Sequence, residues 1–181
     1  TFEVKVPIDD IVVETIQKED QAFSYLHLPG FSTTSQAGAP QLPFLTEVLG
    51  VPFDSEINVS VIGGTTTRQS LSAPLLPVTS ESVEWDPERL AAGSWDKPVV
   101  TTSIEPDPEI YNSKSKFPGV LGKVSNDAVL RSQRLVSIAL YPIQYDPGAN
   151  EIILYDSLIV TVEFSSDARE TQGLVEDEPL V

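Results

Sequence analysis

The chain has 181 residues, and its 27 acidic and 11 basic side chains give a net charge of −16 at pH 7. The absence of Cys excludes a disulfide framework, a thiolate zinc site and a cysteine nucleophile, and the single histidine, His27, would have to serve any histidine-based triad. The negative charge opposes phosphate backbones and anionic lipid, and no apolar run approaches the roughly 20 residues of a membrane span, so neither nucleic acid nor a membrane is expected as a partner.

The composition favours β-structure, because Val, Ile and Thr number 45 against 10 Ala and β-branched side chains suit pleated sheets. Apolar and polar residues alternate in several short runs, each with one apolar face. The predicted strands are, in chain order, residues 2–6, 11–16, 23–28, 44–51, 57–61, 65–71, 134–141, 151–155 and 158–164. About ten short strands without a long helical pattern predict an all-β fold, an antiparallel β-sandwich with a partly closed, barrel-like character and a long Pro-rich loop.

Turn signals separate these strands. Pro29-Gly30 marks one turn, and Gly63-Gly64 is interpreted as a hairpin turn. Asp146-Pro147-Gly148 predicts a hairpin between the strands on either side of it.

Three segments interrupt the strand pattern: the polar residues 32–43, the Pro-rich residues 74–118 and the acidic tail after residue 165. Long connections without regular structure are uncommon inside compact domains and are often functional. We therefore expect one β-sandwich domain over residues 1–165 and an acidic linker over residues 166–181. The chain opens within an alternating pattern at Thr1, as a processed product would.

Candidate catalytic and metal-binding groups are sparse. His27 lies in a predicted strand beside Phe23 and Tyr25, which is typical of a structural histidine. The acidic residues Asp9-Asp10 and 105–109 lack the ligand count and glycine placement of a known calcium loop, and no Asp-Thr-Gly loop of an aspartic protease is present. The residues alone therefore predict a non-catalytic β domain without a cofactor.

Several motifs occur in a fixed order along the chain. They are Gly38-Ala39-Pro40-Gln41-Leu42-Pro43 before an apolar strand, Ala73-Pro74, Phe117-Pro118-Gly119, and Pro142-Ile143-Gln144-Tyr145-Asp146-Pro147 after a strand. Together they resemble the N-terminal propeptides of gingipain-type cysteine endopeptidases, which are secreted by bacteria. The resemblance covers about residues 20–165, and Gly38 with the two prolines is expected to fix an extended entry into a strand, with Pro43 at its start.

The resemblance implies a secreted or cell-surface bacterial protein whose propeptide docks on the cognate cysteine peptidase catalytic domain. Such a propeptide assists folding of the peptidase and keeps it latent until proteolysis removes it. In the family, a basic residue on a loop after the Ala-Pro motif inserts into the specificity pocket of the peptidase. In this chain that loop corresponds to residues 79–102.

The residue that fills the pocket is not fixed by spacing, because this loop is longer than in the family. Counting forward from Ala73-Pro74 places it near Glu81, and counting backward from Phe117-Pro118 places it near Asp96 and Lys97. Lys97 is favoured, with Arg89 as the other basic candidate and Trp95 as an aromatic anchor beside it. If the peptidase prefers acidic residues, Asp96 or Glu81 would take this place.

Two further expectations concern the tail and the function class. Arg169 is the candidate processing site, because it is the only basic residue after Arg134. The alternative to an inhibitory propeptide is an adhesive or scaffolding β-sandwich module of a secreted or surface protein, which would not slow any peptidase.

Overall fold

The computed structural model describes residues 1–18, 20–84 and 99–166. Within these ranges the chain forms fourteen strands, a 3-10 turn (Ile8–Asp10) and one short helix, α1 (Pro108–Tyr111). The strands are β1 (Phe2–Lys5), β2 (Val12–Lys18), β3 (Gln21–His27), β4 (Ser32–Thr33), β5 (Pro43–Val51), β6 (Ser55–Gly63), β7 (Thr66–Ser70), β8 (Ser80–Glu84), β9 (Val99–Ser103), β10 (Gly122–Leu130), β11 (Gln133–Leu140), β12 (Ile143–Asp146), β13 (Glu151–Tyr155) and β14 (Ser157–Ser166). The prediction of an all-β fold is confirmed, although the strands outnumber the ten or so expected.

Two sheets enclose the first hydrophobic core. One sheet has the order β1-β14-β6 and the other has the order β10-β11-β5-β4, and all their strand pairs are antiparallel. Alternate residues of β14, such as Leu158 and Val160, are fully buried, as the alternating pattern predicts. The core is formed by Val51, Val136, Ile138, Leu140, Leu158 and Val160. Each described sheet is open, so the sandwich does not close into a barrel within these ranges.

A second core lies beside the first. It is covered by the sheet β12-β13-β7 and by the hairpin β2-β3. The buried residues of this core are Leu26, Leu42, Leu71, Leu75, Ile143, Tyr145, Ile152 and Leu154. The predicted hairpin at Asp146-Pro147-Gly148 is confirmed, since β12 and β13 pair from Ile143 with Leu154 to Asp146 with Glu151.

The interpretation of Gly63-Gly64 as a hairpin turn is wrong. Strand β6 pairs with β14 up to Gly63 and Leu158, and β7 then pairs with β13 from Thr66 and Tyr155 onward. Strands β6 and β7 therefore run in the same direction, one after the other. A Cβ atom on Gly63 would overlap the ring of Tyr155. The glycines therefore permit a close approach in the middle of a long ladder, which is a second common reason for glycine within a strand.

Among the described residues, no helix is long and apolar enough to cross a membrane.

The side chain of Gln144 joins two of the sequence motifs. It is only 3% exposed, and its Nε2 donates hydrogen bonds to the carbonyls of Val120 (3.0 Å) and Tyr141 (3.2 Å). Its Oε1 accepts a hydrogen bond from the backbone N–H of Gly119 (3.0 Å). The amide thereby fixes the segment after Phe117-Pro118 against the turn that precedes β12.

Replacing Gln144 by leucine should lower the free energy of unfolding by at least about 2 kcal/mol, because three hydrogen bonds of a buried side chain are lost and the carbonyl of Tyr141 loses its buried partner. Chemical denaturation of the isolated domain measures this loss. The matched control is Gln69→Leu, since Gln69 is an exposed strand residue and should change stability by no more than about 0.5 kcal/mol. Equal effects of the two substitutions would contradict the role given to Gln144.

Candidate functional site

The Pro-rich interruption contains a hairpin that the sequence pattern did not predict. Strands β8 and β9 pair from Ser80 with Ser103 to Glu84 with Val99, so residues 85–98 lie between two paired strands. The hydroxyls of Ser80 and Ser103 are 2.7 Å apart. The candidate loop 79–102 is therefore a hairpin for part of its length rather than an irregular connection.

This hairpin has little support from the rest of the described sheets. Neither β8 nor β9 pairs with a third strand in the described ranges. Val83 and Val100 lie directly opposite each other and are 54% and 53% exposed. Because an isolated two-stranded hairpin is only marginally stable in water, its position depends on how its base is held.

Gly38 bonds to both ends of this base. Its N–H donates to the carbonyl of Val78, just before β8, and its carbonyl accepts from the N–H of Asp107, just after β9, each at 2.9 Å. Gly38 has φ +75°, and a Cβ atom there would lie 3.2 Å from the carbonyl oxygen of Glu105. The expectation of an extended conformation at Gly38 is wrong, because the residue needs the left-handed conformation that glycine adopts without strain. Pro43 begins β5 as expected.

The chain entering the hairpin is held between two other segments. Ser24 of β3 donates its N–H to the carbonyl of Pro74 and accepts from the N–H of Leu76, both at 2.8 Å. On the other side, the N–H of Gln41 donates to the carbonyl of Leu76 at 2.9 Å. Leu75 is fully buried in the second core, so this entry segment is fixed by both hydrogen bonds and packing.

The chain leaving the hairpin is held by α1. The carboxylate of Asp107 accepts a hydrogen bond from the N–H of Glu109 at 2.9 Å and caps the helix. Tyr111 donates its hydroxyl to the carbonyl of Leu75 at 2.7 Å, and its ring meets the edge of Tyr145 at 6.1 Å between centroids. Burial raises the pKa of Tyr111, and the nearby Tyr145 raises it further, so the hydroxyl stays protonated and remains a donor.

Most of the sequence-predicted site residues lie outside the described residues, so their positions stay predictions. Glu81 is described, and it lies exposed within β8, opposite Thr102, rather than between the two strands. The candidates outside the described residues are Arg89, Trp95, Asp96, Lys97 and Arg169.

The hairpin and the Gly38 clamp, which consists of the hydrogen bonds of Gly38 to Val78 and Asp107, differ in how far the sequence indicates them. The run Val99-Val100-Thr101-Thr102-Ser103 is rich in β-branched residues and could have indicated β9. The role of Gly38 depends on hydrogen bonds to residues 40 and 69 positions away along the chain, at Val78 and Asp107. A local sequence pattern cannot predict hydrogen bonds between residues so far apart.

Neither His27 nor the acidic runs named in the sequence analysis form a catalytic or metal-binding cluster in the described residues. His27 lies exposed at the end of β3, and no described side chain forms a hydrogen bond with it. In the same ranges, no three or more histidine or carboxylate side chains lie close enough together to hold a metal ion. Asp9-Asp10 and the acids of residues 105–109 are therefore not part of such a group.

Comparisons with known proteins agree on one family. The family model Propeptide_C25 matches residues 2–177. Lys-gingipain of Porphyromonas gingivalis is 23% identical over 181 residues, which cover 96% of this chain and 10% of that protein. Gingipain R2 of the same organism is 25% identical over 150 residues, which cover 79% of this chain and 18% of that protein. The chain thus spans about a tenth to a fifth of the length of these relatives.

Two solved structures share the fold. A complex of the Porphyromonas gingivalis RgpB pro- and mature domains matches with a TM-score of 0.68 at 19% identity, covering 90% of this chain and 78% of that chain. A structure of gingipain K from the same organism, described as an insight into zymogenic latency, matches with a TM-score of 0.62 at 20% identity, covering 84% and 81%.

The family match extends over nearly the whole chain and confirms the resemblance that the motifs carry. It also confirms that the chain is not itself an enzyme, because a propeptide is a region separate from the catalytic domain. The chain belongs to the Propeptide_C25 family and is a non-catalytic propeptide domain.

Proposed function

We propose that this propeptide keeps its cognate cysteine peptidase latent by placing the segment between β8 and β9 in the active-site cleft until proteolysis removes the propeptide. The observation that carries the proposal is the clamp at Gly38, which holds both ends of this hairpin. The structural relatives support it, because one is a complex of a pro-domain with its mature domain and the other concerns zymogenic latency.

The clamp reduces the entropy cost of binding. A segment that inserts into a cleft loses conformational freedom, and this loss weakens the complex. Pairing of β8 with β9 and the bonds from Gly38 fix both ends of residues 85–98 before docking. Less freedom is then lost when the peptidase is bound.

Lys97 is proposed as the residue that enters the specificity pocket, with Trp95 as the anchor beside it and Arg89 as the second basic candidate. Asp96 would replace Lys97 if the pocket prefers acids. Glu81 is the weaker acidic candidate, because it lies in the paired strand β8. Assistance in folding of the peptidase, processing at Arg169 and location outside a bacterial cell belong to the same proposal.

Substituting Lys97 by alanine should raise the inhibition constant of the isolated domain against its cognate catalytic domain about tenfold or more, because the pocket loses its charged ligand. The matched control is Lys114→Ala, since Lys114 is exposed and lies outside the hairpin. Its inhibition constant should not change. Equal constants for wild type and Lys97→Ala would remove Lys97 from this role, and failure of the wild-type domain to inhibit would favour the adhesive alternative.

Substituting Gly38 by alanine should raise the inhibition constant at least about threefold, because the added Cβ displaces the carbonyl of Glu105 and shifts one end of the hairpin. Gly30→Ala is the control, since Gly30 has φ +82° but no atom within 4 Å of the added Cβ. Alanine in the left-handed region costs about 1 kcal/mol of stability in both variants, so both should have a lower thermal midpoint than the wild type. An inhibition constant that rises equally in the two variants would contradict the clamp.

A further inference from the structure

We propose that the turn at Arg131-Ser132, between β10 and β11, is a second docking point, at which Arg131 binds a carboxylate on the surface of the peptidase domain. This inference rests on the proposed function, because it assumes that the propeptide docks on a peptidase. It concerns a different part of the chain from the β8–β9 hairpin and can be tested separately.

The backbone of this turn is strained. Leu130 pairs with Gln133, so only Arg131 and Ser132 connect the two strands. Both residues have positive φ, at 49° and 70°. A two-residue turn of this kind favours Asn-Gly, because other residues pay a steric cost in the left-handed region. Strain that persists in a folded protein is a feature of binding and active sites.

Two exposed apolar side chains directly precede the turn. Val129 and Leu130 are 62% and 61% exposed. Strand β10 is exposed along almost its whole length, and β11 is its one pairing partner among the strands that the structure describes. Natural proteins usually protect such an edge. Arginine is one of the residue types that often dominate the binding energy of a protein interface, and a partner could bury the exposed apolar residues beside it.

The strands that carry the turn are held in place by a second arginine. Arg134 binds both carboxylate oxygens of Asp127, at 3.0 and 2.6 Å, and donates to the carbonyl of Ser55 at 2.7 Å. The hydrogen bond from Arg134 lowers the pKa of Asp127, so this pair is intact at neutral pH. These bonds tie β10 and β11 to the turn that begins β6, so the position of Arg131 is set before binding.

The two arginines differ in their partners. The guanidinium of Arg134 is used within the fold, whereas that of Arg131 has no hydrogen bond or ion pair with any residue in the ranges 1–18, 20–84 and 99–166. A guanidinium matches a carboxylate with two parallel hydrogen bonds. Arg131 therefore fits an acidic group on a partner.

Charge disfavours two other occupants. A second copy of the chain would bring together two molecules that each carry −16, and an anionic membrane would also repel the chain. The solved relatives provide a pro-domain bound to its mature domain as the precedent for such a complex. An aspartate or glutamate beside an apolar patch on that domain is the chemistry that this turn fits.

The test is the double substitution Arg131→Asn with Ser132→Gly, which supplies the favoured turn residues and removes the guanidinium. The thermal midpoint of the isolated domain should rise, while the inhibition constant against the cognate catalytic domain should rise at least about fivefold. A purely structural turn would show the first change without the second. Asp20→Gly is the matched control, because Asp20 is also left-handed (φ 65°) and lies at the β2–β3 turn, and it should leave inhibition unchanged.

The single variant Arg131→Gln keeps the test independent of the glycine and should weaken inhibition to a similar degree. Unchanged inhibition in both variants, or weaker inhibition together with a lower thermal midpoint, would overturn the second docking point. If the wild-type domain itself does not inhibit, the proposed function fails, and this outcome is distinct from the failure of the second docking point.

Discussion

Two backbone hydrogen bonds at Gly38 hold the structure that surrounds the candidate site. One bond reaches the chain before β8 and the other reaches the chain after β9, so a single residue sets the spacing of the hairpin base. Its left-handed conformation and the closeness of Glu105 both favour glycine at this position. The motif that begins at Gly38 thus has a structural role with a direct consequence for function.

The two hydrophobic cores provide the rigid support for this clamp. Leu75, on the entering chain, is buried in the second core, and Tyr111, on the leaving chain, donates to its carbonyl. The continuous ladder of β6 and β7 along β13 and β14 joins the second core to the sandwich. The hairpin base is therefore anchored to the second core by both packing and hydrogen bonds. A preorganised inhibitory segment needs this kind of support.

Strands with clear alternation were predicted well from the sequence, and β13 has the predicted bounds of residues 151–155. Prediction failed where tertiary contacts decide the structure. Gly63-Gly64 suggests a turn by composition, yet the chain continues along the neighbouring strands there, and a Cβ atom on Gly63 would overlap the ring of Tyr155. Strand β8 has the sequence Ser-Glu-Ser-Val-Glu, in which one apolar residue gives no alternating pattern. The clamp at Gly38 could not be predicted, because it joins residues that are far apart in the chain.

If the segment between β8 and β9 causes inhibition, replacing that segment should abolish it. Exchanging residues 85–98 for Asn-Gly would join Glu84 to Val99 by a two-residue turn and leave the strands and the clamp in place. Inhibition of the cognate catalytic domain by this variant is the measurement. We expect a folded domain with no measurable inhibition and with a thermal midpoint no lower than that of the wild type, because a shorter loop costs less closure entropy. A folded variant that inhibits as strongly as the wild type would contradict the proposal that the segment between β8 and β9 causes inhibition.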